Sequence, residues 1–82
     1  MRTFEDVCRL IGAIRPSAGF IRVPDCRISQ LRATLGEPTQ VRFSERHVVV
    51  TYRLDHESAM IIGKRGVDGD DDLLTEGWIV RA

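Results

Sequence analysis

Apolar residues recur at helical spacing in two stretches, and then the pattern changes period. Phe4, Val7, Cys8, Ile11 and Ile14 share one face of a 3.6-residue turn and predict an amphipathic helix over 4–14. Thr3 stands where an N-cap belongs, with Asp6 three positions on as a short capping box, and Pro16, Ser17 and Gly19 mark the stop. Phe20 to Val23 reads as a short extended piece before Pro24. Ile28, Leu31 and Leu35 then predict a second helix over 26–35, with Asp25 as its N-cap and Gly36 just past its end. Pro38 bars continuation. Arg27, Gln30 and Arg32 fall on the side of this helix that faces water or a partner.

After Pro38 the alternation has period two. Val41 and Phe43 alternate with Gln40 and Arg42, and His47 to Leu54 is rich in β-branched and aromatic residues. Asp55 to Ser58 is a turn signal, Ala59 to Ile62 returns as a strand, Gly66 to Asp72 is a loop by composition, and Gly77 to Arg81 is a last strand. Helices first and strands after predict an α+β fold, with two N-terminal helices packed on one face of a three- to four-stranded antiparallel sheet. Residues 1–82 form one domain, with no repeats, low-complexity tracts or linkers.

Composition narrows the function classes. A domain this small buries roughly 60% of its unfolded surface, so no deep cavity for a large cofactor is expected and no cofactor is called for. No apolar run is long enough to span a membrane, and acids follow Met1 where a signal peptide needs an apolar stretch. The expected location is the cytoplasm, where Cys8 and Cys26 are free thiols that fill core positions. No Cys/His quartet exists for zinc. The net charge is zero, yet residues 1–54 hold nine arginines against five acids, and residues 55–82 hold three basic groups against seven acids. If those halves separate in space, the molecule is dipolar.

The segment from Leu31 through Gly36, Glu37 and Pro38 to Thr39 resembles the helix-end Leu-Gly-x-Pro-Thr of the SmpA/BamE-like and β-lactamase-inhibitor-protein-like modules. In those families two helices precede an antiparallel sheet, with an aromatic strand near the end, as Trp78 is here. The resemblance implies a module that grips another protein with its sheet face and performs no chemistry. A second, local resemblance lies in Ile61-Ile62-Gly63-Lys64-Arg65-Gly66, which is similar to the Gly-x-x-Gly loop of KH domains. It implies single-stranded nucleic acid held against Gly63, Lys64, Arg65 and Gly66, and it requires helices on both sides of the loop.

Asp68, Asp70 and Asp72 have the opening spacing of a calcium loop, but Leu73 and Ile79 stand where an EF-hand needs Gly and Glu, so no metal site is expected. With Asp71 the same aspartates could instead meet a basic partner. His47 and His56 sit at opposite ends of one predicted strand, roughly 30 Å apart, and cannot act as a pair. No catalytic constellation can be assembled, so no enzyme is expected. Tyr52 and Trp78 fall in predicted strands, and Trp78 becomes the interface anchor if it is exposed. The sequence thus points to a small protein-binding inhibitor, adaptor or accessory subunit, of the kind found among regulators and phage-type anti-defence inhibitors. Its contact residues are Asp68, Asp70, Asp71, Asp72 and Trp78. Nucleic acid is the alternative partner, no membrane is involved, and a homodimer stays open.

Overall fold

A computed structural model describes residues 2–15 and 19–82. The elements run α1 (Phe4–Leu10), β1 (Ile21–Val23), β2 (Cys26–Arg27), α2 (Ile28–Leu35), β3 (Gln40–Phe43), β4 (His47–Arg53), β5 (Ser58–Arg65) and β6 (Leu73–Arg81). The expected α+β class holds, but the sheet has six strands where the sequence predicted three or four. The two further strands are short and lie before α2, and the first of them falls within the extended piece expected over Phe20 to Val23. Each pairs antiparallel with the outer edge of the last strand, Ile21–Val23 against Gly77–Ile79 and Cys26–Arg27 against Leu73–Leu74. Pro24 and Asp25 break that edge in two. The remaining strands form an antiparallel meander, so the order across the sheet is β1–β6–β5–β4–β3, with β2 beside β1 on β6.

Helix α1 has the Thr3/Asp6 capping box in full. The Asp6 amide donates to the Thr3 hydroxyl at 3.1 Å and the Thr3 amide donates to the Asp6 carboxylate at 3.0 Å. The helix ends at Leu10, four residues short of the expected stop. Gly12 adopts φ 72, the left-handed backbone that favours glycine. The Ala13 amide then bonds the Cys8 carbonyl and the Gly12 amide bonds the Arg9 carbonyl, the Schellman pattern that closes a helix. Ile14, assigned by periodicity to the helix, instead exchanges backbone hydrogen bonds with Arg22 and is exposed. The expected stop signals Pro16 and Ser17 lie outside the described residues.

Helix α2 begins two residues later than expected, because Cys26 and Arg27 pair with β6. Its N-cap is Arg27, which has no side-chain acceptor to offer. Asp25, expected in that role, accepts from the Glu76 amide in β6 instead.

Both helices cover the same face of the sheet. Phe4, Val7, Cys8, Ile28, Leu31 and Leu35 meet Val48, Val50, Tyr52, Ala59, Ile61, Leu74 and Ile79 in one core. Full burial of each large aliphatic side chain there contributes roughly 1.5–3 kcal/mol. Tyr52 joins this core, and its hydroxyl donates to the Gly36 carbonyl at 2.8 Å, tying β4 to the end of α2. Cys8 and Cys26 are unpaired, and burial pushes both thiols above their ordinary range, so neither is an activated thiolate at neutral pH. The two chain halves interlock across the fold: Arg27 pairs with Asp70 and Asp72, and Arg81 pairs with Glu5. The basic and acidic stretches of the sequence therefore meet at these contacts. Among the described residues no helix is long and apolar enough to cross a membrane.

Candidate interaction face

Side chains alternate across a strand, so covering one sheet face with helices leaves the alternate residues uncovered. In β4, Val48, Val50 and Tyr52 point to the helices and His47, Val49, Thr51 and Arg53 point away. In β5, Ala59, Ile61 and Gly63 are buried while Met60, Ile62 and Lys64 face outward. The phase in β6 depends on an irregularity. Ile62 pairs with Trp78 and Lys64 pairs with Thr75, so one residue of β5 faces two of β6, Glu76 and Gly77. Glu76 takes φ 49, as an extra residue in a bulge can. Through that insertion Leu74, Gly77 and Ile79 share the buried face, and Thr75, Trp78 and Val80 share the open one.

The pairings line up a row across the open face: Arg42, Val49, Ile62, Trp78, Arg22. Three apolar side chains stand in the middle and an arginine stands at each end. A second row runs Gln40, Thr51, Met60, Val80. Phe20, just before β1, is 66% exposed and lies against Trp78 with ring centroids 6.0 Å apart. Two shallow hollows open on this face, one of about 270 Å³ over Arg42, Val49, Thr51 and Met60, and one of about 310 Å³ over Phe20, Arg22, Lys64 and Trp78. Lys64 pairs with Glu76 at 2.9 Å, and that contact holds the Glu76 carboxyl below its ordinary range.

The acidic loop is a different kind of site. Asp72 supplies what Arg27 lacks at the start of α2. Its carbonyl accepts from the Ile28 amide at 2.7 Å, and its carboxylate accepts from the Ser29 amide at 2.9 Å and the Ser29 hydroxyl at 2.7 Å. These bonds to Ser29, led by the hydroxyl, hold the Asp72 carboxyl below its ordinary range. Asp70 pairs with Arg27 at 3.2 Å, and Asp71 pairs with Arg65. Three of the four aspartates thus serve the fold. Of these four only Asp68 makes no ion pair among the described residues, and it occupies a left-handed turn with φ 58.

Gly63 and Gly66 do not flank a connector between helices. Gly63 lies inside β5 and Gly66 directly follows that strand. A Cβ on Gly63 would sit 2.5 Å from Leu74 Cδ2 and 2.8 Å from the Thr75 carbonyl oxygen, and one on Gly66 would sit 2.3 Å from the Asp70 carbonyl oxygen. Both glycines thus have a packing reason. Lys64 and Arg65 point to opposite faces, the first pairing with Glu76 and the second with Asp71.

A hollow of about 590 Å³ lies between the β3–β4 turn and the acidic loop and mixes Arg46, His47 and Lys64 with Glu45, Asp68 and Asp71. His56 lies far from it, on the exposed β4–β5 turn. Among the described residues no three His, Cys, Asp or Glu side chains come together to hold a metal ion. Compared with family models, curated proteins and solved structures, the chain matches none.

Proposed function

We propose that this chain is a non-enzymatic protein-binding module, an inhibitor, adaptor or accessory subunit, that meets its partner with the open face of its sheet. The observation that supports this reading is the uncovered row Val49, Ile62, Trp78, flanked by Met60 and Val80 and extended by the exposed ring of Phe20. An apolar surface of this kind is what a desolvated interface centre requires, with the tryptophan as anchor. Trp78 is kept from the residues singled out in the sequence, although it is half-buried rather than exposed as that reading required. The reading does not rest on the acidic loop, because Asp70, Asp71 and Asp72 are committed to Arg27, Arg65 and Ser29.

Panning a random peptide library against the wild-type protein, with counter-screening on Trp78→Ser and Ile62→Ser, tests this. Binders that the two variants lose are expected. Binders that both variants retain, and that Asp68→Asn removes, would place the contact on the loop and reject the open face.

A further inference from the structure

We infer that the partner surface taken by the open face is a protein surface with an apolar centre and an acidic rim. This rests on the reading of that face as the contact surface. Carboxylates are shared unevenly among the arginines. Arg9, Arg15, Arg27, Arg32, Arg65 and Arg81 each have a carboxylate partner within the chain. Those six lie off the open face, on the helical side and around the acidic loop. The open face carries Arg22, Arg42, Arg53 and Lys64 against one carboxylate, Glu76, and that one is taken by Lys64. Among the described residues Arg22, Arg42 and Arg53 pair with no acid. Off the open face Arg2 donates to the Thr34 and Leu35 carbonyls and Arg46, in the β3–β4 turn, has no carboxylate either, so what marks the open face is its balance of four cations to one acid. Arg22 and Arg42 stand at the two ends of the apolar row, 42 beyond Val49 and 22 beyond Trp78.

An interface built on this row would bury its centre and leave its two arginines at the rim, where opposite charge on the partner sets register and approach rate. Acidic side chains outside an apolar patch are the complement. A second copy of this chain is not, since face-to-face docking would set Arg22, Arg42 and Arg53 against their own like charges. Single-stranded nucleic acid would also meet the cations, but its bases need aromatic platforms. Here the centre is aliphatic, formed by Val49, Met60, Ile62 and Val80, with Trp78 and Phe20 together near the β1 edge. The strand spacing limits the face to about 20 Å across its five strand positions. The four cations on it make binding sensitive to salt.

The test reads the charge of the peptides selected above and then titrates one synthetic peptide from the enriched group. The expected peptides place Asp or Glu on either side of apolar residues. Their affinity falls about tenfold in Arg22→Glu/Arg42→Glu and again in high salt, and is lost in Trp78→Ser. Both arginines are exposed and unpaired, so the charge-reversed variant keeps its fold, which a thermal melt checks. Peptides that need Trp78 but are neutral or basic, with affinity unchanged in the charge-reversed variant, would overturn the acidic rim and leave the open face standing as the contact. A peptide set indifferent to Trp78 would overturn the contact face itself. Tighter binding of a uridine oligonucleotide than of any selected peptide, lost in the same variants, would assign the face to nucleic acid. Self-association in sedimentation that Trp78→Ser abolishes would assign it to a second copy.

Discussion

The two faces of one sheet both carry apolar residues, more on the covered one, and the two sets have different fates. On the covered face Val48, Val50, Ile61 and Leu74 have no accessible surface, and the helices contribute the rest of the core. On the open face Val49, Met60, Ile62, Trp78 and Val80 keep part of theirs, and no element of the described chain crosses them. Apolar residues on the first face are accounted for by stability. Those on the second are half-buried against their cross-strand neighbours and lie outside the helical core. The charges differ as well: six arginines off the open face have carboxylate partners, while on it four cations share the single acid Glu76. On the proposed reading, that difference is explained by what the open face meets.

Neighbouring residues of β5 offer the sharpest break of that comparison. Ile61→Ala should cost about 2–5 kcal/mol of unfolding free energy, as cavity formation in a closed core does. Ile62→Ala should cost less than about 1 kcal/mol and act on binding instead. Denaturant unfolding of the pair checks this, and equal losses would mean that the faces do not differ. Next in size is Gly63→Ala. Its Cβ would collide with Leu74 and with the Thr75 carbonyl oxygen, which is backbone and cannot step aside. A loss of about 1–3 kcal/mol is expected.

Asp72→Ala should cost about 1 kcal/mol, the usual loss for a helix cap, although this residue lies 43 positions from the amide it caps. The acid dependence follows in sign. Hydrogen bonds hold Asp72, Asp6 and Glu76 below the ordinary carboxylate range when folded. Their contribution is present above the unfolded value of about 4 and is lost as pH falls through the folded values. The melting temperature should therefore drop on acidification, and less steeply in Asp72→Asn. The smallest effect on stability is expected for Arg22→Glu/Arg42→Glu, within about 0.5 kcal/mol.

Much of this was legible in the sequence, for local reasons. The alternation in His47 to Arg53 reads out which residues meet the helices, and the Gly36-Glu37-Pro38 stop ends α2 at Leu35 as expected. The misses were of two kinds. Gly12 carried a local helix-stop signal that apolar periodicity overrode. The others were long-range. Strands of two and three residues are too short to show a period, and they exist because β6 offers them an edge. The tetrad of aspartates is a charge run in the sequence and a helix cap with two ion-paired neighbours in the fold. No local reading could join Asp72 to Ser29. The side of Trp78 was likewise set by the bulge at Glu76 and Gly77, which shifts the alternation by one residue.

The contact itself is most directly read by two-dimensional amide and methyl NMR on the labelled protein as an acidic peptide from the selection is added. The account predicts shifts that follow the row from Arg42 through Val49, Ile62 and Trp78 to Arg22, with the helices silent. Shifts confined to residues 67–72, or spread over α1 and α2 while that row stays still, would contradict it.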